Sequence, residues 1–157
     1  MMIRFALAAA AMFTAVGAHA ADGAEATPIR TMIAAFNSGD TALAKSTHVA
    51  APMILDEPTA PFAWSGPSAF DDWLAALGTS EARAGKTGGK VALGPLTRES
   101  IMGDRAYVVV PSTYTFQQAK RTMRETGTMT FALVKQGPQW KIQAWTWTSP
   151  EAVPVTR

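Results

Sequence analysis

Apolar and polar residues alternate along the C-terminal half of the chain with the period of two that a half-buried strand requires, most clearly over residues 105–116. β-Branched and aromatic side chains dominate this run, and Val108, Val110, Ser112 and Tyr114 fall on one face of it, with no acid or base among them. Similar runs cover 126–135 and 139–148, and another at 91–102 precedes. Met102-Gly103-Asp104-Arg105 suits a two-residue hairpin and Lys135-Gln136-Gly137-Pro138 a second tight return, whereas 117–124 reads as a longer, basic tip. Pro111 has no N–H to give to a ladder, so it predicts a bulge or bend in the central strand.

The N-terminal half follows the helical period instead. Thr27 and Pro28 supply a cap and a helix-compatible first residue, Ile29, Met32, Ile33 and Phe36 recur on one face, and Asn37-Ser38-Gly39-Asp40 is the stop. A second, shorter helix is expected from Thr41 to about Thr47, with Pro52 closing that region. Met53-Ile54-Leu55 reads as a short strand with Phe62-Ala63-Trp64 able to pair with it. A third helix opens at Gly66-Pro67-Ser68 and sets Phe70, Trp73, Leu74 and Leu77 on one face. A glycine-rich loop, 85–90, follows it.

The 157 residues suffice for one domain with a core of its own. Arg4, the apolar run 5–16 and Ala18-His19-Ala20 form the three-part pattern of a secretory signal peptide, which places the protein in the periplasm or outside the cell. The expected division is a cleaved leader at 1–20, a flexible N-terminus at 21–26, a single domain at 27–150 and a tail at 151–157. The apolar run is too short for a membrane span, and no membrane association is expected. Although export permits disulfides, there is no cysteine, so stability must come from packing. The net charge of +2 falls by one with Arg4, and the basic residues are scattered apart from Lys120, Arg121 and Arg124; no nucleic-acid surface is expected.

His48 is the one histidine outside the leader, and neither HxH nor HExxH spacing occurs, so no metal site is expected. A GxSxG elbow is absent, and the loop at Gly88-Gly89 lacks the lysine and hydroxyl of a phosphate cradle; no cofactor is implied. What the chain offers in quantity is apolar and aromatic. Met32, Phe36, Trp64, Trp73, Tyr114, Phe131, Trp145 and Trp147 are candidates to line a pocket for a small apolar or aromatic molecule.

Several stretches resemble the NTF2-like superfamily, in particular its SnoaL-like bacterial branch. They are Ala35-Phe36-Asn37-Ser38-Gly39-Asp40, Leu55-Asp56-Glu57-Pro58 through Trp64-Ser65-Gly66-Pro67, Gly103-Asp104-Arg105-Ala106-Tyr107-Val108-Val109 and Trp140-Lys141-Ile142-Gln143-Ala144-Trp145. The resemblance covers nearly the whole mature chain. It implies an α+β cone: three N-terminal helices packed on a strongly curved antiparallel sheet around a cavity. Within that superfamily, ketosteroid isomerase places its general base directly before a proline. Glu57 before Pro58 matches, with its neighbour Asp56 as the alternative, and Glu57 is favoured to point inward. The places that match the isomerase's oxyanion donors fall near Met32 and near Met129-Thr130, and neither methionine can donate.

The leading expectation is therefore a non-catalytic binder of a small apolar molecule or an interaction module. The alternative is an isomerase or lyase using Glu57 or Asp56. Strict alternation along 139–148 also sets Trp145 and Trp147 against Trp140, Ile142 and Ala144 on the opposite face, which predicts a homodimer packed through the outer face of the sheet.

Overall fold

The computed structural model describes residues 23–156. The leader at 1–20 lies outside the described residues. Among the described residues, three helices, α1 (Ala26–Ser38), α2 (Thr41–Ser46) and α3 (Ala69–Ala84), lie against one face of a sheet of eight strands. In chain order the strands are β1 (His48–Asp56), β2 (Ala63–Ser65), β3 (Thr87–Leu93), β4 (Arg98–Met102), β5 (Arg105–Gln118), β6 (Arg121–Gln136), β7 (Gln139–Thr148) and β8 (Val153–Pro154). Their order across the sheet is β2-β1-β7-β6-β5-β3, with β4 beside β5 and β8 beside β6. All pairings are antiparallel except that of β1 with β7, which makes the sheet mixed. A parallel pair needs a long crossover. Here the whole of α3 and the meander from β3 to β6 separates the two strands.

Helix ends are set locally. Asp40 accepts the Leu43 N–H at 2.9 Å and caps α2, and Gly39, at φ 81°, closes α1 in the left-handed conformation that glycine tolerates. Asp71 and Asp72 lie in the first turn of α3 and Arg83 in its last, both favourable to the helix dipole. Asn37 does more than stop a helix. Its amide gives and takes hydrogen bonds with the backbone of Val91, 2.7 Å to the carbonyl and 2.8 Å from the N–H. It thereby occupies the free edge of β3 as a strand would and ties α1 to the far side of the sheet.

Several expectations change here. The run 91–102 is two strands, parted by a loop from which the Gly94 and Thr97 N–H groups reach Pro111 and Val109 carbonyls at 2.8 and 2.9 Å. Pro111 needs no bulge, because β5 and β6 keep register through Pro111 and Thr128. In an antiparallel ladder the N and O of one residue point the same way, so the missing N–H of Pro111 faces this loop. The expected long basic tip at 117–124 is also wrong. β5 and β6 run on to a tight turn in which Ala119 and Lys120 hold φ values of 48° and 62°. Two consecutive left-handed residues are what a type I′ hairpin demands, and Asn-Gly serves it best. Replacing Ala119 by Asn together with Lys120 by Gly should raise the unfolding free energy by about 1 kcal/mol, read from the urea midpoint; an unchanged or lower midpoint would count against the assigned turn.

At the chain ends, residues 24–26 form the packed turn into α1, with Glu25 and Ala26 buried, so the flexible lead-in does not extend to them. The tail is not free either, since Met123 and Arg124 of β6 pair with Pro154 and Val153 of β8. The short strand expected at 53–55 begins at His48, and Pro52 lies inside it, within the irregularity between His48 and Met53.

The strict alternation of β7 fails, with a clear cause. Ala132 pairs with Ala144 but Leu133 pairs with Ile142, so Gln143 is an extra residue, a bulge. Trp140, Ile142, Trp145 and Trp147 therefore all turn inward and are buried. Small and polar residues remain on the outer side of β7, and a dimer through that face no longer follows from the pattern of this strand.

Candidate functional site

Between α1, α3 and the inner face of the sheet lies a cavity of about 100 Å³. Met32 and Phe36 enter it from α1, Phe70, Trp73 and Leu77 from α3, and Met129, Trp145 and Trp147 from β6 and β7. The rings brace one another. Trp73 stands edge-on to Trp145 at 4.9 Å between centroids and to Phe70 at 5.6 Å, with Phe36 at 6.1 Å on its other side. Of the residues named from sequence, Met32, Phe36, Trp73, Tyr114, Trp145 and Trp147 are placed along this cavity. Trp64 and Phe131 do not. Trp64 pairs with Ile54 at the β1–β2 hairpin, and Phe131 is wholly buried among core side chains, because its neighbours on β5 and β7, Val108 and Trp145, close over it.

The adjacent carboxylates at the end of β1 separate. Burial alternates from Pro52 to the end of β1 at Asp56, which is buried and lines the cavity. Glu57 begins the turn, is exposed, and accepts the Ser149 N–H at 2.9 Å while its own N–H bonds the Trp147 carbonyl. The inward group is thus Asp56, not the favoured Glu57; the parity of the strand decides it.

Asp56 accepts the indole N–H of Trp73 at 2.8 Å. Burial pushes its pKa up, against the Trp73 and Thr59 hydrogen bonds, and the charges of Glu125 and Glu81 add to the rise. Four polar groups near Asp56 escaped the sequence reading: Glu81, Lys86, Glu125 and Thr59. The Tyr114 hydroxyl donates to Glu81, and burial first and that carboxylate second raise the tyrosine pKa. Lys86 bonds Glu125 at 3.0 Å and stands 4.2 Å above the centre of the Phe116 ring. Two of these were legible. Glu81 continues the Trp73, Leu77 stripe at four-residue spacing, and Glu125 shares odd parity with Met129 once β6 is extended beyond Thr126. Lys86, two residues past the end of α3, carries no such signal. Gly89 is required here, because a Cβ at that position would strike the Tyr114 ring and hydroxyl.

His48 directly follows Thr47, the cap of α2. It opens β1, buried beneath the cavity wall, where Nδ1 donates to the Ala44 carbonyl at 3.1 Å and Nε2 accepts the Trp145 indole N–H at 3.1 Å. Burial, with a smaller push from Lys141, lowers its pKa to about 4 against the backbone hydrogen bond that favours the cation. It is a neutral brace for the wall. Among the described residues no group of three His, Asp or Glu side chains is placed to hold a metal ion.

No protein-family model matches the sequence, and no curated protein matches it. Solved structures match in shape. A hexachlorocyclohexane dehydrochlorinase, LinA-type3 from Novosphingobium barchaimii, superposes with a TM-score of 0.66 at 10% identity, over 82% of this chain and 88% of that one. A ketosteroid isomerase-like protein from Erwinia carotovora atroseptica gives 0.64 at 13% identity, over 82% and 95%. A protein assigned as a scytalone dehydratase from Novosphingobium aromaticivorans gives 0.67 at 13% identity, over 85% and 87%. At these identities the likeness concerns shape, and the chain has the cone fold of the NTF2-like superfamily.

Proposed function

We propose that the protein binds a small, mainly apolar or aromatic molecule in the cavity between α3 and the sheet. The observation that carries this reading is an apolar cavity walled by aromatic rings from both helices and sheet, with its polar groups gathered together. Those polar groups already satisfy one another in pairs, so a ligand gains chiefly by burying apolar surface. The test uses 2-tetralone, an aromatic ketone, with binding read from the fluorescence of the tryptophans in the wall. Leu77→Trp, which fills the space, should weaken binding at least ~10-fold while the unfolding midpoint stays unchanged; undiminished binding in the filled variant would overturn the reading.

A second reading is proton transfer at carbon, as an isomerase or lyase, and one observation favours it. Asp56 is a desolvated carboxylate on an apolar wall, and burial makes such a group a stronger base than an exposed one. The solved neighbours include a dehydrochlorinase and an isomerase-like protein, whose names describe chemistry of this general kind. In deuterated water, Asp56→Asn should slow any exchange of the ketone's activated C–H by about 100-fold or more, whereas Glu57→Gln should leave it alone. The asparagine keeps an oxygen for the Trp73 indole, so the wall stays intact. Exchange no faster than in buffer removes this second reading and leaves the first standing.

A further inference from the structure

The polar end of the cavity is not balanced in charge. Facing it are Asp56 from the end of β1, Glu81 from α3, Glu125 from β6, Tyr114 from β5 and Lys86 from the loop before β3. Among the described residues, three carboxylates thus meet a single ammonium. Lys86 is committed to Glu125 at 3.0 Å, Glu81 accepts the Tyr114 O–H, and Asp56 accepts the Trp73 indole N–H. Once Lys86 and Glu125 cancel, Asp56 and Glu81 remain without a cation, in a space walled by the faces and edges of Trp73, Tyr114, Trp145 and Trp147. Aromatic faces attract cations, and more so when water is excluded. The protein shows the same chemistry internally, since the Lys86 ammonium rests on a carboxylate and over the Phe116 ring at 4.2 Å.

We infer that the cavity selects an apolar or aromatic molecule bearing a protonated amine, and that it discriminates against carboxylates of the same size. The ring system packs against the apolar lining, Met32, Phe36 and Met129 included, and the ammonium is drawn to Asp56 and Glu81. An anion there would meet two like charges in a medium of low dielectric. A neutral molecule gains only the apolar contact. The inference rests on the cavity being the binding site, as proposed above, and adds the charge of the occupant.

The experiment compares three probes of one skeleton by titration calorimetry on the protein at pH 7.5: phenethylamine, 2-phenylethanol and phenylacetate. The amine should bind at least ~10-fold more tightly than the alcohol, and the carboxylate least of all. Glu81→Gln should erase most of the amine's advantage and leave the alcohol's affinity unchanged. Tyr114→Phe, which keeps the carboxylate and removes only the hydroxyl, should preserve the advantage, so a mere loss of packing in the first variant is separated from a loss of charge. Lowering the pH should weaken the amine more than the alcohol as Asp56, whose pKa burial raises, gains a proton. If the carboxylate matches or exceeds the amine, the inference is wrong. Should the alcohol bind as well as the amine, the charge inference falls while the cavity remains the binding site. Failure of all three probes to bind overturns both.

Discussion

Trp145→Ala should remove a large part of the stability of the fold, on the order of 3–5 kcal/mol, against a total that for domains of this size is only about 5–15 kcal/mol. The residue is almost wholly buried, its ring meets Trp73 edge-on at 4.9 Å, and its indole N–H is given to His48 at 3.1 Å. Truncation therefore does two things. It opens a void beside an existing cavity, where the walls have little with which to refill it, and it strips a buried imidazole nitrogen of its donor. Trp145→Phe separates the two, since it keeps an aromatic ring and deletes only the donor, for an expected loss of about 1–3 kcal/mol. Urea unfolding of the two variants checks this. An alanine variant within about 1 kcal/mol of the parent would mean that the rings do not brace one another as described.

Acid should weaken the protein through His48. The group is neutral when folded, and its pKa is lowered from 6.5 to about 4, chiefly by burial. Above pH 6.5 the imidazole is uncharged in both states and exacts nothing. As the pH falls from 6.5 toward 4, the unfolded chain takes up a proton that the folded chain refuses, so stability is lost across that window and levels off below it. The full loss is about 3 kcal/mol. Asp56 acts in the opposite sense, because its raised pKa lets the folded state bind a proton more readily and so softens the decline. Comparing unfolding free energies at pH 7 and pH 4.5 tests the assignment. His48→Gln, which can still accept from Trp145, should flatten the slope; equal slopes in parent and variant would assign the acid sensitivity elsewhere.

The cone was readable because its largest elements carry strong periods. α1, α3 and the central strand β5 announce themselves through Ile29, Met32, Ile33 and Phe36, through Phe70, Trp73 and Leu77, and through Val108, Val110 and Tyr114. What failed were features that depend on a partner rather than on a pattern. Ala119 and Lys120 are not turn residues by preference, and only the long ladder on either side forces them into a type I′ hairpin. The inward turn of Asp56 in place of Glu57 follows from the parity of β1, which is fixed by its register against β7, where Asp56 stands opposite Trp147. Nothing local to His48 reveals the indole, 97 positions along the chain, that reaches its Nε2. Half of the site was legible as an aromatic set. Its charged end was not, because Glu81, Lys86 and Glu125 meet only after α3 has folded across the sheet.

The single extra residue in β7 makes that strand two half-strands of opposite parity. Up to Ile142 the even positions face the helices, and beyond Gln143 the odd ones do. A chain one residue shorter at this point would have almost the same composition, the same turns and the same propensities. It would nonetheless deliver two indoles to solvent and leave Asp56 and His48 without their aromatic roof. Insertions and deletions are ordinarily tolerated in loops and costly in strands by degree; here the count of residues works as a binary instruction, and the chamber exists only for one of its two values.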